Sequence, residues 1–337
     1  MKVEKEELFK ALSKVQPGLS DKAIIEQTDH FIFDQDYVRT YNDEIAISYP
    51  FKSGFCTAVK ADEFFKLISK TEDKKIDLEI KDNFLVMSGK DLGRARMIMA
   101  SEVKCPTVEI KARRWFQLPK NFPEAIRFAS FSADWNMLQK ELTCLWIKDQ
   151  YVISSDRFRA TKYEMDSKLP EFLLPATIAQ KLCKYTPTYY IVEAEGAWIH
   201  FRNTEGIIFS SRVIEGEYPY QEEVWATFTL KGDIVKIPEG LKEAVDRAKI
   251  FTQGMVRGDS DLIQLKVDKS GKLTCRGEGT LGDVEKEFAI DYKKKDFEIK
   301  APPEALIEIL TYIKEMRVSN DKLYFSGPNF EHVISLI

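Results

Sequence analysis

The chain has 337 residues, of which 44% are apolar and 31% charged, as in a globular protein large enough for two or three domains. Its 22 Phe, 13 Tyr and 5 Trp residues bury more apolar surface than a disordered chain carries, which excludes that class. The formal net charge of −4 is spread along the sequence, so no third of the chain is a strongly basic nucleic-acid-binding module.

The first residues indicate neither a secretory signal nor a membrane anchor. Lys5, Glu6 and Glu7 follow the start closely, and no apolar signal-peptide core comes after them. The longest apolar runs are short stretches such as residues 198–201 and 206–209, which cannot span a bilayer. We therefore expect a cytoplasmic protein without a membrane partner.

Cysteine and histidine are placed too far apart to form a metal site. The five cysteines include no closely spaced pair, and the three histidines are each isolated. We therefore expect buried thiols in a reducing compartment, with no bound metal and no cofactor. The residues concerned are Cys56, Cys105, Cys144, Cys183, Cys275, His30, His200 and His332.

Catalytic motifs are also missing from the sequence. It contains no phosphate-binding loop, no dinucleotide-binding glycine pattern, and no zinc-protease or serine-hydrolase motif. The nearest candidate is the run Ser154, Ser155 and Asp156, but an aspartate at the end of a hairpin usually accepts backbone hydrogen bonds in a turn. We expect a protein that is not an enzyme.

In chain order, the first third predicts four elements. An amphipathic pattern over 5–15 predicts a helix, and alternation over 31–43 around a polar turn predicts a hairpin. A second helix is predicted over 61–69, with Asp62 in its first turn. Alternation over 76–87 around an Asp-Asn turn then predicts a second hairpin.

The same four elements recur in the same order in the middle and last thirds. In the middle third they are a helix at 123–130, a hairpin at 145–156 around Asp149 and Gln150, a helix at 175–183, and a hairpin at 190–201 around Glu195 and Gly196. In the last third they are a helix at 239–251, a hairpin at 263–275, a helix at 303–310 and a hairpin at 316–325.

This repetition predicts the architecture. The first hairpins begin at Phe31, Leu145 and Ile263, a spacing of about 115 residues that is typical of a whole α+β domain rather than a solenoid unit. The sequence therefore predicts an α+β protein of three tandem domains, at 1–113, 114–228 and 229–337.

Three tandem helix–hairpin–helix–hairpin domains on a mildly acidic chain resemble the bacterial DNA polymerase III β subunit, the DNA sliding clamp. The most specific stretch is residues 210–220, Ser-Ser-Arg-Val-Ile-Glu-Gly-Glu-Tyr-Pro-Tyr, which is similar to the segment closing the second clamp domain. Residues 241–251 resemble the first helix of the third domain, and residues 152–160 stand at the family's Val-Ala-Thr-Asp-Gly-His-Arg-Leu segment. The resemblance covers nearly the whole chain in collinear order.

The sequence also departs from the family pattern. Arg157 and Phe158 replace a Gly-His pair, and Ala160 replaces a leucine. Tyr220 and Gln221 stand where an acid and a tyrosine are expected. These differences indicate a divergent clamp, of phage or mobile-element type, with altered partner recognition.

The resemblance implies a head-to-tail homodimeric ring that encircles double-stranded DNA without reading its sequence. Two edge strands would join the subunits through apolar contacts, implicating Met97, Met99, Ile250 and Phe251. Basic residues on the helices would attract phosphates without contacting base edges. The residues expected to face DNA are Lys10, Lys14, Arg127, Lys181, Lys184, Arg247 and Lys249.

The resemblance further implies a pocket between the second and third domains that binds short peptides of the DNA polymerase and the clamp loader. The matching positions are Leu142, Ser155, Phe158, Arg159, Ala160, Ala226, Val333, Ile334 and Leu336. The expected function is therefore that of a non-catalytic processivity factor in DNA replication. The alternative is a clamp-like scaffold that binds proteins but does not encircle DNA.

Overall fold

A computed structural model describes residues 1–22, 24–111, 114–134, 138–193, 197–229, 231–252 and 262–336. These residues form an α+β structure with seven α-helices, all of whose strands pair in antiparallel fashion. The helices are α1 (Lys5–Val15), α2 (Ala61–Lys70), α3 (Phe122–Ala129), α4 (Ala176–Cys183), α5 (Gln221–Thr227), α6 (Leu241–Thr252) and α7 (Pro303–Tyr312).

Six of these helices confirm the predicted ones to within two residues at either end, and α5 was not predicted. The strands are β1 (Lys2–Glu4), β2 (His30–Asp34), β3 (Tyr37–Tyr41), β4 (Ile45–Pro50), β5 (Cys56–Lys60), β6 (Lys75–Lys81), β7 (Phe84–Gly89), β8 (Gly93–Ile98), β9 (Phe116–Gln117), β10 (Cys144–Ser155), β11 (Arg159–Pro175), β12 (Tyr189–Val192), β13 (Trp198–Arg202), β14 (Ile208–Arg212), β15 (Asp233–Lys236), β16 (Ile263–Val267), β17 (Lys272–Gly279), β18 (Gly282–Ala289), β19 (Phe297–Ala301), β20 (Glu315–Val318), β21 (Lys322–Ser326) and β22 (Phe330–Ser335).

The chain divides into two compact units. The first contains residues 1–118 and 181–213, and the second contains residues 119–180 and 214–337. In the first unit, one sheet has the strand order β1-β6-β7-β8 and the other the order β5-β2-β3-β4-β14-β13-β12-β9. In the second unit, the orders are β10-β11-β22-β21-β20-β15 and β18-β17-β16-β19.

The middle third of the chain contributes to both units. Its strands β12, β13 and β14 extend the eight-stranded sheet that begins with strands of the first third. Its strands β10 and β11 extend the six-stranded sheet, which also contains strands of the last third. Strand pairing therefore crosses the predicted domain boundaries, and the division into three domains stays a prediction.

One predicted hairpin is wrong. Residues 145–156 do not turn back on themselves at Asp149 and Gln150; they belong to the continuous strand β10, which pairs along its length with β11. Asp149 has a φ of 53°, and the register shifts on both sides of it, so the polar pair marks an irregularity within a long strand. The chain reverses later, at residues 156–158.

The other predicted hairpins are confirmed by strand pairing. β2 pairs with β3, β6 with β7, β12 with β13, β16 with β17 and β20 with β21. The predicted turn at Glu195 and Gly196 lies outside the described residues.

Helix α1 shows why the amphipathic pattern predicted helices well. Leu8, Ala11, Leu12 and Val15 recur every three or four residues, and all four are buried. Acidic residues stand in its first turn and a lysine in its last, as the helix dipole favours. Burial of this one apolar face holds the helix against the rest of the unit, and the same face produces the spacing that predicted it.

Helix α6 lies unusually close to the sheet of the second unit. A Cβ atom at Gly277 of β17 would lie 2.2 Å from the carbonyl oxygen of Ala248, and one at Gly279 would lie 1.8 Å from that of Phe251. Both glycines are therefore required for the helix backbone to reach the strand. This contact fixes where the end of α6 meets the sheet.

The expectation that all cysteines are buried is wrong for Cys56, which is exposed, and for Cys183, which is half-buried. Burial raises the pKa of the Cys144 thiol to about 12 and that of Cys105 to about 11.

Among the described residues, no helix is long and apolar enough to cross a membrane.

Candidate functional site

Strand β8 forms an open edge of the first four-stranded sheet. Its sequence Gly-Arg-Ala-Arg-Met-Ile alternates between two faces. Ala95 and Met97 lie opposite the buried residues Met87 and Leu85 of β7, so this face packs on the core. Arg94 and Arg96 lie on the outer face and are exposed.

The alternation also decides which apolar residues this edge offers. Ile98 is 74% exposed, whereas the predicted interface residues Met97 and Met99 are half-buried in their own subunit. Met99 forms an isolated β-bridge with Val59. The sequence reasoning missed Ile98, although its spacing of two and four residues from the arginines placed it on the outer face.

A buried carboxylate fixes the turn that leads into β8. Asp73 accepts backbone hydrogen bonds from Lys90, Asp91 and Leu92 at 2.7–3.0 Å. The bonds from Leu92 and then Asp91 lower the pKa of Asp73 most, because they stabilise the charged carboxylate. The Asp73 carboxylate therefore holds the backbone of residues 90–92, immediately before the edge strand.

Strand β18 forms an open edge of the four-stranded sheet in the second unit. Its sequence Gly-Asp-Val-Glu-Lys-Glu-Phe-Ala places Asp283, Glu285 and Glu287 on one exposed face. Glu287 lies 2.9 Å from the ammonium of Lys272. Among the described residues, Glu285 has no ion pair within 4.0 Å.

Exposed apolar side chains lie close to this acidic edge. Ile250, near the end of α6, is 67% exposed, and Leu281, in the turn before β18, is 92% exposed. Phe251 is half-buried, with its ring 3.6 Å from where a Cβ atom of Gly282 would be. The two predicted residues of α6 therefore differ, since only Ile250 is largely free.

Four of the seven residues expected to face DNA are already engaged by neighbouring side chains. The Lys10 ammonium lies 2.8 Å from Glu205, and that of Lys14 lies 5.9 Å from the centre of the Tyr185 ring. Two glutamates of α7 pair with the other two. Arg127 lies 2.6 Å from Glu308, and Lys249 lies 3.1 Å from Glu304.

The other three, Lys181, Lys184 and Arg247, have no ion pair within 4.0 Å among the described residues. Lys184 and Arg247 are exposed. Lys181 lines a cavity of about 980 Å³ whose lining includes Asp21, Asp43 and Asp62, so acids neighbour it. Of the seven predicted residues, Lys184 and Arg247 are therefore the most available to a phosphate.

The predicted peptide pocket includes the turn between β10 and β11. Asp156 accepts the backbone N–H groups of Phe158 and Arg159 at 3.0 and 2.7 Å and pairs with the Arg159 guanidinium. This confirms that it acts as a turn former. The turn requires Arg157 to adopt a φ of 74°, and it leaves Phe158 73% exposed.

The remaining predicted pocket residues differ in exposure. Ala226 is exposed and Leu336 half-buried, whereas the other five are 7% exposed or less. These five are Leu142, Ser155, Ala160, Val333 and Ile334. Leu142, Ala160 and Val333 belong to one apolar cluster, which also contains Val224 and Phe228 from α5 and the residue after it. Side chains of this chain therefore cover much of the predicted pocket surface.

Aromatic rings fill this cluster. Trp146 stacks on Tyr218 at 5.4 Å between ring centres, and Trp225 of α5 meets Tyr151 edge-on at 5.0 Å. Trp225 and Tyr151 are partly exposed and pack against the buried cluster from its solvent side. Such pairs each stabilise the packing by about 0.5–1.5 kcal/mol beyond area burial.

Lys162 of β11 contacts both the aromatic rings of this cluster and an acidic residue of the neighbouring strand β22. Its ammonium lies 5.0 Å from the ring centre of Phe228 and 5.8 Å from that of Trp225, and it forms a 2.6 Å ion pair with Glu331. Sequence reasoning missed α5, Trp225, Phe228 and Lys162. The apolar spacing of Val224, Trp225 and Phe228 was the available signal.

A buried polar network lies beside this site. The Thr161 hydroxyl is 2.7 Å from His332 Nδ1 and 2.7 Å from the Ser132 hydroxyl. Burial lowers the pKa of His332 to about 3, so the ring is neutral at physiological pH. Among the described residues, no group of three or more His, Cys, Asp or Glu side chains could hold a metal ion.

No protein-family model matches the sequence, and no curated protein matches it either. Solved structures match it along its whole length. The DNA polymerase β subunit of Streptococcus pyogenes aligns with a TM-score of 0.77 at 18% identity, covering 100% of this chain and 99% of that one. The DNA polymerase sliding clamp of Bacillus subtilis aligns with a TM-score of 0.77 at 15% identity, covering 100% and 98%.

The DnaN sliding clamp of Pseudomonas aeruginosa, solved with griselimycin bound, aligns with a TM-score of 0.77 at 15% identity, covering 100% and 98%. The chain has the sliding-clamp fold. The low identities are those of a divergent sequence, as the departures in residues 157–160 and 220–221 predicted.

Proposed function

We propose that the chain is a DNA sliding clamp, a non-catalytic processivity factor whose head-to-tail homodimer encircles duplex DNA. The observation that carries the proposal is the sliding-clamp fold over the whole length of the chain. A head-to-tail ring of two such chains has two interfaces. Each interface joins one edge of one chain to a different edge of its partner, so every chain needs two unlike edges.

The open edges β8 and β18 are suited to ring closure. Strand β8 carries Arg94 and Arg96, and strand β18 carries Asp283, Glu285 and Glu287. Each strand is hydrogen-bonded to a neighbour on one side only, among the residues that the structure describes. Pairing β8 of one protomer with β18 of its partner would continue the sheet across the boundary and bring opposite charges together. Ile98 on one edge and Ile250 on the other supply apolar side chains for burial.

The charges on the helices support a weak attraction to DNA. Lys184 and Arg247 are unpaired among the described residues, while glutamates of α7 hold Arg127 and Lys249. A protein that slides needs phosphate attraction without base contacts, since tight contacts would stop it. We therefore assign the main phosphate contacts to Lys184 and Arg247.

Retention on circular DNA tests encirclement directly. The protein should stay on nicked circular DNA after loading and be lost when the circle is cut, because a closed ring can leave only over an end. The double variant Lys184→Glu, Arg247→Glu should lower retention and reduce the slope of binding against salt concentration, since fewer counterions are released.

The matched control is Lys66→Glu, which reverses an exposed cation of α2 that already pairs with Asp62. Equal retention on circular and linear DNA would favour the alternative, a clamp-like scaffold that binds proteins without encircling DNA. A chain that sediments only as a monomer would contradict the ring.

We further propose that polymerase and clamp-loader peptides dock at the aromatic cluster beside Phe158, and that an apolar anchor must displace Phe228 to enter. The cluster joins Ala160, where the family has a leucine, to the ring of Phe228. Interface anchors are bulky apolar side chains that fill pockets. Here the chain's own aromatic side chains fill the place that such an anchor needs.

Because Phe228 would have to move before a peptide can bind, removing its side chain should strengthen peptide binding. Phe228→Ala should bind a peptide ending in paired apolar residues about tenfold more tightly, because no ring has to be expelled first. Ile334→Asp should abolish binding, and Phe158→Ala should weaken it. Calorimetric titration measures all three, with thermal unfolding as the control for folding. Weaker binding by Phe228→Ala would show that the ring is part of the binding surface.

A further inference from the structure

An edge of the eight-stranded sheet carries exposed aromatic rings interleaved with arginines. The outermost strand is β9, only two residues long, which pairs with β12. Phe116 of β9 is 48% exposed and Tyr189 of β12 is 36% exposed. Neither the ring closure nor the peptide site described above uses these residues.

On one face of this edge, an arginine lies between two rings. The Arg202 guanidinium is 4.5 Å from the ring centre of Trp115 and 5.2 Å from that of Tyr189. The register confirms the shared face, because Tyr189 lies directly opposite Arg202 on β13. The planar guanidinium group therefore lies near two aromatic rings.

On the other face, a ring contacts both an arginine and a second ring. Arg114 lies 5.3 Å from the ring centre of Phe116, and Phe116 lies 5.8 Å from the ring centre of Tyr190. Tyr190 and Phe116 are directly opposite one another in the register. The edge therefore carries four rings and two guanidinium groups, distributed over both faces. Arg114, Phe116 and Tyr189 are exposed, and Trp115, Tyr190 and Arg202 are half-buried.

The local charge is opposite to that of the whole chain. Residues 111–120 contain Lys111, Arg113, Arg114 and Lys120 and no acid, while the chain carries a net charge of −4. The Glu193 carboxylate accepts the backbone N–H of Lys111 at 2.9 Å. This edge is therefore a basic, aromatic segment of an acidic protein.

We propose that this edge, formed by Arg114, Trp115, Phe116, Tyr189, Tyr190 and Arg202, is a binding platform for single-stranded DNA. Every unpaired base offers a flat face for stacking, and every phosphate an acceptor for arginine. Duplex DNA keeps its bases stacked inside and offers only phosphates. An acidic peptide would use the positive charge but leave the four rings without a matching surface.

Fluorescence anisotropy of a labelled oligothymidylate of about 15 nucleotides, titrated with the full chain, tests the proposal. The double variant Phe116→Ala, Tyr189→Ala should weaken binding roughly tenfold or more, because stacking on two rings is lost. Tyr189→Phe should bind like the native chain, since the ring remains. Tyr37→Ala, which removes another exposed ring of the same sheet, should have no effect.

The salt dependence should correspond to a few phosphates, and a duplex of the same length should compete poorly. Unchanged affinity in the double variant would overturn the proposal, as would equal competition by duplex DNA or by polyglutamate. The platform does not depend on ring closure, so a variant that weakens the proposed subunit interface, Ile250→Arg, should keep it. Loss of single-strand binding in that variant would also contradict the assignment.

Discussion

The edge strands β8 and β18 are built alike and differ in the sign of their charge. Each is the outermost strand of a four-stranded sheet, with an inner face on the core and an outer face in solvent. The outer face of β8 carries two arginines and that of β18 three acids. Like edges would place like charges opposite one another, whereas unlike edges attract, so the comparison supports the proposed head-to-tail assembly.

The two edges also differ in how they are held. The turn before β8 depends on the Asp73 carboxylate, which collects three backbone N–H groups. The turn before β18 depends instead on the close approach of α6 to Gly279, which also positions Ile250. A charged group therefore supports the basic edge, and packing supports the acidic one.

Reversing the charges should have the largest effect. Arg94→Glu with Arg96→Glu should dissociate the dimer, as should Glu285→Lys with Glu287→Lys, because like charges across an interface cost several kcal/mol. Mixing the two double variants should give a heterodimer in which both interfaces again join opposite charges, and combining all four changes in one chain should restore both interfaces of the homodimer. Sedimentation velocity measures the outcome. A four-fold variant that stays monomeric would show that these edges do not meet.

A charge placed among the apolar contacts should have a smaller effect. Ile250→Arg should weaken the dimer by about 2 kcal/mol without affecting folding, since the side chain is 67% exposed in one chain. It separates assembly from stability better than Phe251→Arg, because Phe251 is half-buried in its own unit. The matched control is Leu138→Arg, at another highly exposed apolar residue (88%). A dimer as tight as the native one would remove Ile250 from the interface.

The smallest effect should come from Asp73 and depend on pH. Backbone hydrogen bonds lower the pKa of Asp73 in the folded chain, so its stabilising contribution is present above the unfolded pKa of about 3.9. That contribution is lost as the pH falls through the lower folded pKa. Asp73→Asn should reduce hydrogen-exchange protection of residues 93–98 at pH 7, while leaving β18 unchanged.

The native chain should show the same local loss only at acidic pH. Equal protection in Asp73→Asn and the native chain at pH 7 would mean that the turn holds without the carboxylate.

The spacing of apolar residues predicted most of the fold, because each of the six helices and five hairpins buries one apolar face. It failed at residues 145–156, where an Asp-Gln pair resembles a turn but lies within the long strand β10. A local pattern cannot distinguish a turn from an irregular strand, because the difference depends on whether a partner strand continues beyond it. Here β11 continues, with 17 residues.

The candidate sites were less predictable than the fold. The sequence placed Met97, Met99, Ile250 and Phe251 at the edges. Alternation in β8 exposes Ile98 instead of the two methionines, and α6 exposes Ile250 but not Phe251. The sequence likewise placed Ala160 and Val333 in a pocket without showing that Phe228 packs into the same cluster. Contacts between residues far apart in the chain decide such exposure.

By itself, the sequence determined the α+β class, the recurring order of elements and the resemblance to sliding clamps. These follow from local periodicity, which burial of one face imposes on each helix and strand. Only the tertiary structure decided which cations stay unpaired, which edges stay open and which side chains cover the cluster around Trp146. The physical reason is that an ion pair, an open edge or a covered cavity depends on which distant residue lies within a few ångströms, and the local pattern carries no record of that distance.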